Sequence, residues 1–437
     1  MSLIHPNGLT CAVGELDLHA VQITQKDILK SQTVTKTTNN ALTDHTDSFD
    51  FTFEPSALYT DLSEAELYLE VEVIDAGGTP LAVGDEAAPV NNLAHALFES
   101  VQLLLNGEKV TGNNDEYPLK SQILDLLCVE KRDKETRLQG CQKWMADTAK
   151  YMEIRGPTNP GWIARRLEFS SRRKHAILMR PHLDLIKQCK LLPSHCGLKF
   201  IFERTNPTFY MQQAADQTFW VKITKAEMSL RQVVVRDEVV MVHNKAVMSR
   251  ELGPFNYPIT RVKVTKHTLD HGSQEYSWTQ PDTTQIPARL VLALIKETAT
   301  SGTKTENPFN FQNYGVREVV VKYDDQKFEV KSDFANGNTV RAYHNLFKET
   351  GLLATGLDCG ITLEEFQNGY TLFAFDLTPD KTPENARINL LKQGKLTIGL
   401  RFNAATTHAI SAVVCAFYNN IIQITADRLP VTDFHMV

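Results

Sequence analysis

Residues 91–110 read NNLAHALFESVQLLLNGEKV, in which an apolar run ends at Asn106-Gly107 and a second short run follows. Asn-Gly between two extended runs is a strong hairpin signal, because both residues tolerate the positive φ angles of a type I′ turn. The stretch therefore predicts two antiparallel strands joined by a tight turn at Asn106-Gly107.

The same pattern occurs again at about half the chain length. VVVKYDDQKF, residues 319–328, aligns with VQLLLNGEKV, residues 101–110, when Asp324 is placed on Asn106, an offset of 324 − 106 = 218. The chain has 437 residues, so this offset is about half its length. The repeated hairpin therefore indicates an internal duplication.

A later pair of segments repeats with a shorter offset. HCGLKFIF at 195–202 resembles KLTIGLRF at 395–402, and Pro181 matches Pro379 at 379 − 181 = 198. The first half therefore carries 218 − 198 = 20 more residues between its hairpin and its late strands. We place this excess in RGPTNPGWIARR, residues 155–166, and interpret that stretch as a surface loop because glycine and proline interrupt regular structure.

Most other segments alternate apolar and polar side chains with a period of two. Clear examples are ELYLEVEVID at 66–75, FWVKI at 219–223 and LTIGLRF at 396–402. This period is typical of strands with one buried face. Helical patterns are short: YPLKSQILDLLCVEK at 117–131, NTVRAYHNLFKETG at 338–351 with Gly351 as its stop, and a turn at LEEFQNG. Short strands with few helices predict two related β-sandwiches in tandem.

The junction between the halves is expected within residues 233–258, which end near the breaker pair Gly253-Pro254. The first 45 residues are rich in Thr, Gln and Asn, and we interpret them as an extended arm. The predicted division is an N-terminal arm at 1–45, a first sandwich at 46–240 and a second sandwich at 241–437.

Composition excludes several classes of protein. The net charge of −6 argues against a general nucleic-acid coat, which would be markedly basic. The densest basic cluster, RRLEFSSRRKH at 165–175, is interpreted as a solvated strand-and-loop face, because Leu167 and Phe169 interrupt it. No signal peptide or membrane span is expected. Seven cysteines, an odd and sparse set, predict reduced thiols and a cytosolic or nuclear setting.

Known catalytic and phosphate-binding motifs are absent from the sequence, including GxSxG, HExxH, CxxC and GxxxxGK[ST]. Cys189, His195 and Cys196 are clustered but do not have zinc-site spacing, so a structural role is favoured. His267 and His271 are interpreted as part of a solvated loop rather than as metal ligands. We therefore assign no catalytic, cofactor-binding or metal residue, and expect a structural or interaction protein rather than an enzyme.

Several segments, taken in order, resemble one family. NNLAHALFESVQLLLNGEKVTGNNDEYPLKSQILDLL, NPFNFQNYGVREVVVKYDDQ, NGYTLFAFDLTPD and KLTIGLRFNAA are similar to the signature regions of major capsid proteins from Polinton (Maverick) elements and adintoviruses. The closing AVVCAFYNNIIQITADRLPV resembles that family's last strand, which ends with an aspartate and a basic residue, here Asp427-Arg428. The resemblance covers roughly residues 50 to 431. It departs locally, since Asp324-Asp325 stands where a glycine-containing turn is usual.

The resemblance implies an all-β double jelly roll, with the two sandwiches at 46–240 and 241–437 as tandem jelly rolls and a few short helices in loops. It implies a homotrimer that forms a pseudo-hexagonal capsomer. The expected partners are neighbouring capsomers and the penton and other minor capsid proteins of an icosahedral shell. Encapsidated double-stranded DNA would be contacted only indirectly, and no cofactor is implied. The protein would be made in the host cytoplasm and reside in the virion, after assembly there or in the nucleus.

Two alternatives remain open from the sequence. A carbohydrate-binding or carbohydrate-active β-sandwich would need an aromatic platform or a carboxylate pair on one sheet, and no segment marks one. A cellular protein domesticated from such an element would keep the shell fold and have a changed role. The sequence does not separate a domesticated protein from a working capsid protein.

Overall fold

The computed structural model describes residues 16, 18, 19, 21, 23–40, 42–43, 47–112, 116–249, 252–280, 285–381 and 392–433. In the first half the strands β1 to β10 are Ile28–Thr37, Ser48–Phe53, Tyr59–Asp75, Ala87–Pro89, Phe98–Leu105, Glu108–Lys109, His175–Met179, Leu198–Arg204, Met211–Gln213 and Phe219–Val235. Two four-stranded sheets have the orders β1-β10-β3-β7 and β2-β8-β5-β6, and β4 pairs with β9.

The second half contains β11 to β19: Phe255–Leu269, Glu275–Thr279, Arg289–Lys296, Val316–Tyr323, Gln326–Lys331, Leu372–Asp376, Leu396–Phe402, Ile410–Ile424 and Pro430–Thr432. One sheet has the order β11-β18-β13-β16, with β19 added beside β18, and the other has the order β12-β17-β14-β15. All of these pairs are antiparallel.

The two halves share one topology. If the short pair β4 and β9 and the added β19 are set aside, each half has eight strands, which occur in the orders 1-8-3-6 and 2-7-4-5 in its two sheets. Two such four-stranded sheets make a jelly roll. The predicted all-β double jelly roll is confirmed.

The repeat read from the sequence coincides with equivalent strands. Phe98–Leu105 and Val316–Tyr323 are the fourth strands of the two halves, at 316 − 98 = 218, and Leu198–Arg204 and Leu396–Phe402 are the seventh, at 396 − 198 = 198. Both hairpins have two-residue turns, and Asn106 and Asp324 each adopt a φ of 48°. The internal duplication and both of its offsets are confirmed.

Eleven short α-helices lie between the strands in the described residues. Helices α1 to α11 are Leu93–Ala96, Tyr117–Cys128, Lys131–Asp133, Gln139–Gln142, Pro160–Ser171, Pro207–Tyr210, Asp237–Met248, Glu297–Thr300, Val340–Thr350, Leu352–Thr355 and Leu363–Gln367. A π-helical turn, Lys134–Leu138, joins α3 to α4, and 3-10 turns occupy Ala149–Tyr151 and Asp184–Lys187. The predicted helices at α2, α9 and α11 are confirmed, and Gly351 ends α9 with a φ of 83°.

The cores follow the period-two pattern. The apolar members of the quoted alternating segments are buried: Leu67, Leu69, Val71, Val73, Phe219, Val221, Ile223, Leu396, Ile398, Leu400 and Phe402. In the first sandwich four phenylalanines from three strands form one aromatic cluster, with ring centroids 5.1 to 5.9 Å apart. These are Phe49, Phe51, Phe98 and Phe202. Each half therefore buries its own apolar layer between its two sheets.

The interpretation of residues 155–166 as a surface loop was wrong for residues 160–166. Pro160–Ser171 is a helix, α5, rather than a surface loop, and Asn159 caps its first turn by accepting a hydrogen bond from the Trp162 N–H. Trp162 and Arg165 are fully buried. For residues 165–175, the expected strand and loop are instead helical as far as Ser171, and Arg165 is buried against a carboxylate. The expected solvation holds for Arg172, Arg173 and Lys174, which are exposed.

Two described elements bear on the predicted domain boundaries. Ile28–Thr37 pairs along β10 as an edge strand, so the first jelly roll includes part of the predicted arm, while residues 1–15 lie outside the described residues. The boundary at 240/241 falls inside α7, which connects β10 to β11. The junction is therefore a helix rather than a flexible linker.

Candidate functional site: the seam between the two jelly rolls

The two jelly rolls meet along a surface that we call the seam. It includes Asp147 and Glu153 of the first half and Asn307 and Tyr370 of the second half. One of its buried groups is the Asp147 carboxylate, which receives hydrogen bonds from both halves. Oδ1 accepts from Arg165 at 2.6 Å and from Asn159 at 2.9 Å, and Oδ2 accepts from Asn307 of the second half at 3.0 Å. The Tyr370 hydroxyl, also from the second half, donates to the main-chain oxygen of Asp147 at 2.9 Å.

Both charged side chains of this group are inaccessible to solvent. The Asp147 and Arg165 side chains are 0% exposed, and the Arg165 Nε donates to the main-chain oxygen of Pro89 at 2.6 Å. A buried ion pair is favourable only when its remaining polar atoms are also satisfied, and loss of one partner leaves an uncompensated charge. The Asp147 group therefore holds α5, β4 and the second jelly roll in one geometry.

A second carboxylate extends the contact. Glu153 of the first half accepts from the Asn307 N–H at 2.9 Å and from the Asn310 side chain at 2.6 Å. Burial raises the pKa of Glu153, although these two hydrogen bonds lower it, and the nearby Glu306 and Asp147 carboxylates raise it further. This acid gives up solvation in order to bind the second jelly roll.

Glycines of the second half allow the main chains to approach closely. A Cβ on Gly369 would lie 2.5 Å from the main-chain oxygen of Ala149 and 2.5 Å from the Met152 sulfur. A Cβ on Gly360 would lie 2.6 Å from the Cβ of Lys131. Real Cβ atoms do not approach other atoms so closely, and both glycines have a positive φ. Side chains larger than hydrogen at these positions would push the two jelly rolls apart.

Helix α2 supplies another part of the seam. Lys120, which is buried, donates to Asp184 Oδ1 at 2.9 Å, and Asp184 Oδ2 accepts from the Val262 N–H of β11 at 3.3 Å. Lys266 of β11 forms an ion pair with Glu116 at 2.7 Å. Helix α2 of the first jelly roll is thus attached to β11, the first strand of the second jelly roll.

The predicted hairpin turn at Asn106-Gly107 lies beside Arg428 of the second jelly roll. Asn106 Oδ1 accepts from the Gly197 N–H at 2.6 Å, and its Nδ2 donates to the main-chain oxygen of Arg428 at 2.8 Å. The Arg428 guanidinium donates to the Ser194 oxygen at 2.9 Å and to the Asn244 side chain on α7 at 2.6 Å. Arg428, singled out by the family resemblance, therefore connects the first sandwich, the helical junction and the last strand.

The junction helix α7 presents different faces to the protein and to solvent. Its His243 contacts the Tyr59 hydroxyl at 3.0 Å, and its Val247 is buried. Met241, Val242 and Met248 are 63%, 63% and 75% exposed. These three apolar side chains of α7 therefore lie in solvent rather than in the core.

The residues that the sequence considered and rejected as metal ligands do not come together. Cys189 is exposed and Cys196 is buried, and the six cysteines among the described residues are all free thiols. His267 lies in β11 rather than in a loop, and its ring stacks on Trp278 with centroids 4.6 Å apart. Within the described ranges one group of three residues has metal-ligand character: His95, Asp125 and His182, whose ligand atoms lie within 4.8 Å of one another. The sequence analysis missed this group because its members are far apart in the chain.

Within the same ranges no helix is both long and apolar enough to cross a membrane. The described residues thus form two sandwiches with a polar seam between them, and α7 carries three exposed apolar side chains.

Comparison with known proteins supports this description. No family model matches the chain. The uncharacterized protein F54H12.2 of Caenorhabditis elegans is 25% identical over 354 residues, which are 79% of this chain and 82% of that protein. Among solved structures, that of the Sputnik virophage matches with a TM-score of 0.66 at 11% identity, covering 100% of this chain and 95% of the other. The mavirus major capsid protein matches with a TM-score of 0.51 at 12% identity, covering 99% and 97%.

A further match is the capsid of the virus PBCV-1, with a TM-score of 0.57 at 9% identity over 95% of this chain and 99% of the other. These similar structures cover 95% to 100% of this chain, so the likeness includes both sandwiches. The chain has the double jelly-roll fold of viral major capsid proteins.

Proposed function

We propose that this chain is a major capsid protein, a structural protein rather than an enzyme, whose three copies form a pseudo-hexagonal capsomer. The observation that carries the proposal is the pair of sandwiches with identical strand order, held in one orientation by a buried polar seam. A double jelly-roll likeness over the whole chain supports it.

The geometry suits hexagonal packing. Three copies of a chain with two similar sandwiches place six sandwiches in a ring, and the near-sixfold outline of such a ring can tile a shell. Closed rotational symmetry is also the usual arrangement of soluble homo-oligomers. The seam matters in this role because a change in the angle between the sandwiches would distort every copy of the ring.

The exposed side chains of α7 fit the same proposal. Met241, Val242 and Met248 would be covered by a neighbouring copy in an assembled shell, where apolar burial supplies the attraction. Obligate interfaces of this kind bury on the order of 2,000–5,000 Å². Mutations on the sides of the sandwiches, rather than in a pocket, should then be the ones that abolish assembly.

The finer identification rests on the sequence resemblance to Polinton (Maverick) and adintovirus capsid proteins. A similar chain, 25% identical over 354 residues, occurs in Caenorhabditis elegans and is compatible with an element of an animal host. The proposed partners are neighbouring capsomers and the penton and other minor capsid proteins, with double-stranded DNA enclosed by the icosahedral shell. The proposed location is the virion, and no membrane partner or cofactor is assigned.

Sedimentation of the purified full chain tests the proposal. The expected species has three times 49.2 kDa, about 148 kDa, and negative-stain images should show hexagon-outlined capsomers or closed shells. A trimer that forms no shell at any salt concentration or pH tested would favour the domesticated protein over the working capsid. A stable monomer that turns over a small substrate would overturn the capsid function.

A further inference from the structure

One cluster in the first jelly roll has no part in the proposed function. His182 Nε2 lies 2.9 Å from Asp125 Oδ1, and His95 Nε2 lies 3.9 Å from Asp125 Oδ2. The two imidazole rings have centroids 4.6 Å apart and are tilted by 38° relative to each other. His95 lies on α1, Asp125 on α2 and His182 on the segment between β7 and the following 3-10 turn, so three separate elements supply the cluster.

The cluster contains buried polar atoms without partners. His95 Nε2 and Asn92 Oδ1 have no hydrogen-bond partner within the protein, although both residues are only 1% exposed. An unpaired buried polar atom destabilises the folded state, so two such atoms in one place call for an explanation. The Asn92 Nδ2 donates to Asp125 Oδ2 at 2.7 Å, so both unsatisfied atoms belong to residues that face the same carboxylate.

We propose that His95, Asp125 and His182 bind one zinc ion. Two imidazole nitrogens and one carboxylate oxygen are a donor set that zinc accepts, with bonds of about 2.0–2.2 Å. Zinc would give the unpaired His95 nitrogen a partner and would neutralise a carboxylate that lies in the protein interior. The remaining coordination position would be taken by water or by the Asn92 oxygen.

The spacing is compatible with one ion if the side chains move together when the ion binds. Two ligands of a tetrahedral zinc ion lie roughly 3.4 Å apart, because each bond is about 2.1 Å long and the angle between bonds is about 109°. The ligand atoms of the three residues all lie within 4.8 Å of one another, so the widest pair would need to close by up to about 1.4 Å. His182 is 17% exposed and gives the ion a route from solvent.

The surrounding contacts already orient the ligands. The other nitrogen of His95, Nδ1, lies 2.9 Å from the Tyr117 hydroxyl. The same hydroxyl oxygen accepts a hydrogen bond from the main-chain N–H of His182 at 3.0 Å. Metal-binding histidines commonly have their second nitrogen held in this way. His182 is two residues from Asp184, which binds Lys120 and the Val262 N–H, so zinc would also stiffen α2 against the seam.

Calorimetric titration of chelator-treated full-length protein with zinc chloride tests the proposal. We expect one zinc ion per chain and an increase of several degrees in the melting temperature. His182→Gln, at a partly exposed position, should weaken binding at least tenfold and abolish the melting shift. His175→Gln is the control, because His175 also lies close to one carboxylate, Glu168 at 3.6 Å, but it does not belong to a group of three metal-ligating side chains in the described residues.

Two further readouts keep the test decisive if His182→Gln folds poorly. Zinc should protect His182, but not the exposed His271, from carbethoxylation in the wild-type protein, as measured by mass spectrometry. Cobalt in place of zinc should give the visible absorption of a nitrogen- and oxygen-coordinated ion. Sulfur-to-cobalt charge transfer would assign the metal to cysteines, and it would overturn the proposal, as would the absence of stoichiometric binding or equal binding by His182→Gln.

Discussion

The side-chain amide of Asn106 donates a hydrogen bond to the main-chain oxygen of Arg428, 322 residues further along the chain, at 2.8 Å. Asn106 is thus the first residue of a hairpin turn in the first jelly roll. Its side chain is also a hydrogen-bond donor to the last segment of the second jelly roll. The positive φ of Asn106 is required locally, whereas its amide group is required by the tertiary structure.

Asn106→Gly separates these two roles. Glycine keeps the positive φ but removes the hydrogen bonds to Gly197 and Arg428, so we expect a loss of about 1–3 kcal/mol in the free energy of unfolding. Denaturant titration measures it. Asn336→Gly is the control, since Asn336 is an exposed asparagine that bonds only within its own turn. Equal effects of the two substitutions would contradict a role for Asn106 in the seam.

Gly107→Val tests the turn itself. Gly107 has a φ of 89°, which a β-branched residue resists, and open space surrounds its Cβ position. We expect a loss on the order of 1 kcal/mol or more in thermal or denaturant unfolding, from backbone strain alone. Unchanged stability and unchanged assembly would argue against the tight turn.

Arg165→Met tests the buried ion pair of the seam. Removal of the guanidinium leaves the Asp147 carboxylate buried and without its cation, so we expect a loss of about 3–5 kcal/mol in the free energy of unfolding. The double variant with Asp147→Asn should recover part of this loss, because it removes the uncompensated charge. A loss no larger than that of the surface control Arg137→Met, whose Asp133 partner is on an exposed helix, would count against the assignment.

Gly369→Ala tests the close approach between the halves. Both Gly369 and the control Gly337 have a positive φ, but a Cβ on Gly337 meets open space whereas one on Gly369 meets Ala149 and Met152. We expect Gly369→Ala to lower the free energy of unfolding by about 1–3 kcal/mol more than Gly337→Ala, because the added methyl group would overpack the seam. Thermal melts compare the two, and capsomer images should show weaker association only for Gly369→Ala. Identical melts would mean that the seam tolerates a wider spacing.

Glu153→Gln tests the acid that is buried against Asn307 and Asn310. Because the folded pKa of Glu153 is raised, its contribution to stability is complete below the unfolded pKa and declines as pH rises through the folded pKa. The glutamine does not titrate, so the melting temperature of Glu153→Gln relative to wild type should increase from about pH 4 to about pH 8. Glu108→Gln, at an exposed position, controls for the lost charge. A flat difference for Glu153→Gln would contradict the raised pKa.

Local patterns in the sequence were sufficient for much of the fold. The turn at Asn106-Gly107, the alternation in β3 and β17, and the stop of α9 at Gly351 all depend on neighbours a few residues away, and all are confirmed. The duplication was also legible, because equivalent strands of two similar sandwiches need the same period-two pattern in the same order.

The seam could not be read in this way. Asp147 and Asn307 are separated by 160 residues and Glu153 and Asn310 by 157, and nothing in the local sequence pairs them. The helix α5 was missed for the same reason: its Gly and Pro signals indicate a loop, while the tertiary contacts of Trp162 and Arg165 favour a buried helix. The His95, Asp125 and His182 cluster has no sequence spacing that could reveal it.

The sequence by itself determined the strand pattern, the turns and the number of sandwiches, because these follow from backbone preferences and from which side chains avoid water over short distances. Only the tertiary structure decided how the sandwiches face each other and which polar groups lie between them. Burial of a charge such as Asp147 is stable only when Arg165, Asn159 and Asn307 arrive together, and that coincidence depends on the whole fold rather than on any one segment.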